Sequence, residues 1–259
     1  MGFEPTVGSS PTHDFESCSF GHSDTPPRRI LRASDAPHEI RATPGRPLPT
    51  LGNVTVGPHP QPWPDDPRLD PELLAHGDSR NVADRYRYWT VEAIAADLAA
   101  HRAGRASQLH VAIENLEHDL NIGSIVRTAN AFNVGAVHIV GRRRWNRRGA
   151  MVTDAYLDVR HQPDSAALAR WARSEHLSVI GVDVVPGAVP IETYPLPQRC
   201  LLLFGQEGPG LSAGALGITD AVVMISQDGS TRSINVAAAA AIAMYSWRLR
   251  HSFGTAIDG

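Results

Sequence analysis

From residue 109 onward, short and continuously apolar runs alternate with stretches of helical pattern. LHVAIEN and AVHIVG come first, then the helical SAALARWARSEH, then LSVIGVDVV, RCLLLFG and AVVMIS, and last the helical INVAAAAAIAMYSWRLR. A strand that is apolar along its whole length must be covered on both faces, and alternation with helices supplies that cover through crossover connections. The pattern therefore predicts an α/β fold built on a largely parallel sheet.

Bulk properties narrow the function classes. A chain of 259 residues with 42% hydrophobic content can bury one substantial core or two smaller ones. The formal net charge of −3 excludes a uniformly basic nucleic-acid binder and leaves room for a local basic patch. With only two cysteines, Cys18 in a polar stretch and Cys200 at the head of an apolar run, a disulfide framework is not expected. No apolar run reaches the roughly 18 residues of a membrane span, and the N-terminus lacks a charged-then-apolar leader pattern. A cytoplasmic protein is the expectation.

Residues 1–80 are rich in Pro, Gly, Ser, His and Asp, as in TPPRR, TPGRPLPTLG and GPHPQPWPDDP. Such composition buries too little apolar surface to offset the entropy of ordering, so a disordered tail is predicted. Its first part resembles the leaders that appear when a start codon is placed too far upstream. No methionine follows Met1 until Met151, so a downstream start is expected on a non-AUG codon near Val54. A helical extension is predicted over residues 81–108, with Thr90 as N-cap, an apolar stripe through Val91, Ile94, Ala95 and Leu98, and Gly104 as the stop.

Within the domain predicted over residues 109–259, three loops carry the candidate chemistry. In NIGSIVRTANAFNVGAVHIVG, Asn121 is placed as a helix cap and Ile122, Ile125, Val126 and Ala129 as the buried stripe, which leaves Arg127 off that stripe near the helix N-terminus. In LLLFGQEGPGLS, a strand enters a loop holding Gly205, Gly208 and Gly210, with Ser212 as the next helix cap. Glycines at a strand's carboxyl end let backbone approach a ligand, and the order G-x-x-G-x-G is neither the dinucleotide fingerprint nor a phosphate loop. Glu207 in this loop is either solvated, or bonded to the loop backbone or to an arginine. In ISQDGSTRSINVAAAAA, a strand again gives way to a loop and helix, capped by Ser233 or Asn235.

Taken together, N-x-G-S-I-V-R-T-A, F-G-x-E-G-x-G-L and I-x-x-x-G-x-x-x-S-I-N-V-A resemble the SpoU/TrmH branch of the SPOUT methyltransferases over about Leu109 to Arg250. These enzymes transfer a methyl group from S-adenosylmethionine to a ribose 2′-hydroxyl of transfer or ribosomal RNA. The resemblance implies a Rossmann-like sheet with a C-terminal deep trefoil knot, the α/β knot of the SPOUT fold, and a homodimer. It also implies catalytic roles for Asn121, Arg127, Glu207, Ser233 and Asn235, with Gly205, Ile225, Ser233, Ile234 and Asn235 around the donor. No metal is implied. A guanidinium gives up its proton very reluctantly, so Arg127 is expected to bind phosphate and stabilise the developing alkoxide, with the proton acceptor left open. The family's third motif usually reads Ile-Pro-Met where this chain has Ile225, Ser226 and Gln227, which predicts a less rigid donor loop.

GRRRWNRRGA clusters Arg142, Arg143, Arg144, Arg147 and Arg148 around Trp145, so RNA phosphates and a stacked base are expected there. The Pro-rich stretch lacks the periodicity of a separate substrate domain, and the short helix near residues 90–103 with the basic WRLRH segment points toward a compact transfer-RNA type. The alternative is a donor-free RNA-binding relative whose site is relaxed by Ser226 and Gln227.

Overall fold

The computed structural model describes residues 55–115, 120–206 and 208–253. In chain order its elements are α1 (Pro71–His76), α2 (Val91–Ala103), β1 (Gln108–Asn115), α3 (Leu120–Ala131), β2 (Val137–Gly141), β3 (Val159–Gln162), α4 (Ser165–Ser174), β4 (Ser178–Val182), β5 (Val189–Pro190), β6 (Arg199–Phe204), α5 (Ala213–Leu216), β7 (Ala221–Met224) and α6 (Val236–Arg248). The strands form one seven-stranded sheet in the order β3-β2-β1-β6-β4-β7-β5, and every neighbouring pair is parallel.

The apolar runs sit where two-sided cover is needed. Along β1 and β6, Val111, Ile113, Leu202 and Phe204 face the core formed with Ile122, Ile125, Val126 and Ala129 of α3 and Ala240, Ala243, Met244 and Trp247 of α6. The intervening Ala112, Leu201 and Leu203 face Leu168 and Ala172 of α4 and Ala215 of α5. Successive strand side chains point to opposite faces, so this division follows from the pleat. Each fully buried Leu or Phe contributes about 1.5–3 kcal/mol.

β3 and β5 were not predicted. β3 reads Val-Arg-His-Gln and is half exposed, while β5 is only two residues long, so neither has the apolar signature of the central strands. Thr90 caps α2 by accepting from the Ala93 N–H, and Gly104 ends it, as predicted. Ile94 and Leu98 pack with Tyr86 and Tyr156, fixing the helix to the main body.

The predicted tail divides at residue 55. Residues 1–54 lie outside the described residues, but residues 55–80 are ordered, contrary to expectation. Val56 and Asp78 exchange backbone hydrogen bonds, and Asp70 caps α1. The organiser is Asp78, whose carboxylate is fully buried and accepts from Arg80 Nε at 2.9 Å, Arg80 Nη2 at 2.8 Å and the Tyr88 N–H at 3.0 Å. Burial alone would raise its pKa, but the hydrogen bonds from Arg80 and Tyr88 hold it down at about 2. Composition could not register this, because the order rests on a paired buried charge, backbone bridges and the single buried Leu74 in place of an apolar run.

Among the described residues no helix is long and apolar enough to cross a membrane. Cys200 is buried in β6, and burial pushes its thiol pKa well up. Behind the sheet His138 is fully buried and tilts over Trp171 at 3.9 Å between centroids, with His110 beside it. Burial lowers the imidazole pKa to about 3 for His138, helped by the charges of His110 and Arg160, and to about 4 for His110. The unfolded chain binds protons that these sites refuse, so stability is complete above about pH 6.5 and is lost as pH falls from there toward the folded values. The thermal midpoint, followed by calorimetry, should therefore be level above about pH 7 and decline below about pH 6.5. Replacing His138 by Leu should flatten that decline.

Candidate functional site

The carboxyl ends of β4, β6 and β7 open on one side of the sheet, and the segments leaving them line a cleft of about 210 Å³. Open α/β sheets bind ligands at this edge, where the strand order reverses. Val182 and Asp183 come from the end of β4, Phe204 and Gly205 from β6, and Met224, Ile225 and Gln227 from β7. Ser233, Ile234 and Asn235 close it at the start of α6. All five residues expected around the donor, Gly205, Ile225, Ser233, Ile234 and Asn235, thus meet at one cavity.

The loop after β6 is shaped by close backbone approach. A β-carbon at Gly205 would collide with the backbone of Gly210 and Leu211, and one at Gly210, where φ is +73°, would strike the Asp183 carboxylate. Gln206 and Gly210 exchange both backbone hydrogen bonds at 3.1 Å. Two carboxylates from neighbouring strands hold the turn. Asp183 accepts from the Leu211 N–H at 2.7 Å, and Glu114 of β1 accepts from the Ser212 N–H at 2.8 Å and its hydroxyl at 2.6 Å. Ser212 in turn caps α5, as predicted. Sequence reasoning offered a tethering role only as one of two alternatives for Glu207, which lies outside the described residues, and missed Glu114 and Asp183. The signal for Glu114 was a carboxylate inside an otherwise apolar strand.

Asn235 is the cap of α6, accepting from the N–H groups of Ala237 and Ala238. Its Nδ2 donates to Asn121 Oδ1 at 2.9 Å, which joins the first and third motifs directly. Asn121 is not a cap, contrary to expectation: α3 is already helical at Leu120, so Asn121 occupies the first turn with its side chain turned to α6. The stripe Ile122, Ile125, Val126 and Ala129 is buried as predicted.

Arg127 is exposed, off that stripe, and does not line the cleft. It borders a separate cavity of about 610 Å³ between the N-terminal extension and α3, with Arg85, Tyr86, Arg105, Tyr156 and Arg248. No Asp or Glu is among the residues lining that cavity. Arg248 is buried there and donates to the carbonyls of Phe132 and Asn133. Burial, with the Arg105 charge, lowers its pKa to about 10. Arg250 likewise donates to the carbonyls of Ile191 and Glu192. The basic WRLRH segment, read as a cue for the compact transfer-RNA type, therefore has both of its arginines bonded to the protein's own backbone.

In the arginine-rich loop, Arg142, Arg143, Arg144, Arg147 and Arg148 are all exposed. The loop is pinned by Asn115, whose Nδ2 donates to the carbonyls of Arg142 and Arg144 at 2.6 and 2.9 Å. Trp145, expected to stack on a base, is half-buried against the main core, with the Arg147 guanidinium 5.7 Å from its ring centroid. Its ring anchors the loop.

One further polar group in the cleft is available to a ligand. Gln227 Oε1 is buried in its wall without a hydrogen-bond partner. An orphaned buried acceptor costs about 1–3 kcal/mol, and a ligand N–H or O–H would relieve it.

The sequence model of the SpoU rRNA Methylase family matches residues 108–245. A tRNA (guanosine(18)-2′-O)-methyltransferase from Borreliella burgdorferi is 25% identical over 149 residues, covering 56% of this chain and 68% of that protein. The protein of the same name from Escherichia coli K12 is 27% identical over 147 residues, covering 55% of this chain and 64% of its own length. The SpoU methyltransferase AviRb from Streptomyces viridochromogenes, solved in complex with AdoMet, superposes with a TM-score of 0.52 at 25% identity, over 58% of this chain and 61% of that one. The chain thus spans about two thirds of the length of each of these three relatives.

Asn235→Ala should cost about 1 kcal/mol through loss of the α6 cap. Asn235→Asp keeps the acceptor for the cap and removes the donor to Asn121. Denaturant unfolding should therefore distinguish the two variants in stability, while both lose turnover. Full activity in Asn235→Asp would show that the amide donor at this position is dispensable.

Proposed function

The chain belongs to the SpoU rRNA Methylase family, and from that premise we propose that it methylates a ribose 2′-hydroxyl of RNA, with S-adenosylmethionine as donor and transfer RNA as preferred substrate. The observation that carries the reading is the meeting of Gly205, Ile225, Ser233, Ile234 and Asn235 at one cleft, joined to the first motif through Asn121. The names of the two transfer-RNA-modifying relatives support the substrate preference. In the same reading the C-terminal segment is threaded into a deep trefoil knot and the protein is cytoplasmic. The knot is supported by the placement of β6 between β1 and β4, with α6 returning to pack on α3.

The residues present fit the donor: Gly205 and Gly210 at the strand end leave backbone open to close approach, and Gln227 and Asp183 offer acceptors to its polar hydrogens. When bound, S-adenosylmethionine supplies a methyl carbon already activated by its sulfonium. What remains for the protein is to hold the ribose oxygen in line, stabilise its growing negative charge and receive one proton. Arg127, as a guanidinium, serves the first two tasks by binding the neighbouring phosphate and the alkoxide.

Within one chain Arg127 and the cleft lie in separate cavities. A homodimer reconciles them, with Arg127 of one copy completing the cleft of the other. Ile242, Tyr245 and Leu249 support this arrangement: they form an exposed apolar stripe at helical spacing along α6 and its C-terminal turn. RNA would be held by the exposed arginines of residues 142–148 and by the acid-free cavity at Arg85, Arg105 and Arg127.

Calorimetric titration with S-adenosylmethionine, followed by labelled methyl transfer to bulk transfer RNA, tests the proposal. No detectable donor binding would leave the donor-free RNA-binding alternative. Arg127→Ala should abolish transfer with donor binding retained. Mixing it with Asn235→Ala should restore about a quarter of wild-type activity, because half the dimers then carry one intact site. Neutralising Arg142, Arg143 and Arg144 should weaken RNA binding and lower its salt slope by about 0.7–0.9 for each phosphate that is no longer neutralised.

A further inference from the structure

Ile225 and Gln227 both line the donor cleft, while Ser226 between them is exposed and turned to the opposite side. There it meets Glu192. The Ser226 N–H donates to Glu192 Oε1 and the Ser226 hydroxyl to Oε2, each at 3.1 Å. Two bonds from one residue to one planar carboxylate fix position and orientation together. A proline at this position would have no N–H to give, whereas serine supplies two donors.

Glu192 is itself held from two sides. The residue before it, Ile191, donates its N–H to the Met224 carbonyl at the end of β7 at 2.8 Å. From the C-terminal turn after α6, Arg250 Nη2 donates to the carbonyls of Ile191 at 2.8 Å and Glu192 at 2.9 Å. The path runs from the end of α6, through the turn at Glu192, to the back of the loop whose front faces the donor. Chiefly its own backbone N–H, and then the Ser226 donors and the Arg250 charge, keep the Glu192 carboxyl below the usual carboxylate range against the opposing effect of burial.

We propose that Glu192 is a positioning residue for donor binding, a latch that orders the Ile225–Gln227 segment from behind through Ser226 without touching the donor. The inference rests on the proposed methyltransferase reading. In a loop that carries no proline, the carboxylate supplies the restraint that a fixed φ would otherwise give, so the ordering cost is met before the donor arrives.

The test is a double-mutant cycle of Glu192→Ala and Ser226→Ala, read as donor Kd by calorimetry and as kcat and donor KM with transfer RNA. Glu192→Ala should weaken donor binding about fivefold to tenfold. kcat at saturating donor should be unchanged. Glu192→Gln, which keeps one oxygen acceptor for the Ser226 N–H, should fall between wild type and Ala. The two Ala substitutions should be clearly non-additive in donor affinity. Glu192 is exposed, so the variants are expected to fold, and thermal unfolding would verify it. Normal wild-type donor binding with unaltered or strictly additive variants would overturn the latch and leave the methyltransferase reading standing. A wild type that binds no donor would sink both.

Discussion

Because β6 is hydrogen-bonded to β1 on one side and to β4 on the other, its exit loop emerges between two strand ends and must turn within reach of both. Each neighbour contributes a carboxylate to that turn, Glu114 from β1 and Asp183 from beyond β4. Hydrogen bonds to charged acceptors contribute about 1.5–3 kcal/mol each, enough to impose a conformation that glycine alone would merely permit. The cleft wall is thus a consequence of strand order. The same order sets β7 beside β4, so the loops after β4, β6 and β7 share one rim and α6 begins inside it.

Much of this arrangement could be read from the sequence, because two-sided burial leaves a plain mark. The runs at residues 109–115, 136–141 and 199–205 predict β1, β2 and β6 to within a residue or so, and Thr90, Ser212 and Asn235 cap the helices they precede. What escaped rests on single contacts between residues far apart in the chain. Asp78 orders a Pro-rich stretch through Arg80 and Tyr88, and Ser226 meets a carboxylate 34 residues upstream. Neither leaves a periodic trace. The cap assigned to Asn121 failed for a local reason, since α3 starts earlier and that amide is engaged across the motifs.

The arginines illustrate how far charge alone can mislead. Arg248 and Arg250 look like a basic surface in sequence, yet they satisfy carbonyls at the ends of other elements. Arg127, on α3, opens onto a cavity shared with Arg85 and Arg105, where no lining carboxylate neutralises the field. Like charges gathered with no carboxylate among the lining residues favour contact with solvent or a polyanion. The loop at residues 142–148 holds the same sign of charge on a frame fixed by Asn115 and Trp145, so its cations are presented from a defined backbone.

Both margins of the sheet are chemically blunt. On one side β3 carries Arg160 and His161, with Arg160 paired to Asp158 at 2.7 Å; on the other, β5 stops after two residues at Pro190, which has no N–H to offer. Charged, short or proline-ended borders discourage a further chain from continuing the ladder. Among the described residues both margins therefore disfavour self-association by sheet extension, the usual first step toward fibrous aggregates, and leave helices and loops as the surfaces offered to a neighbour.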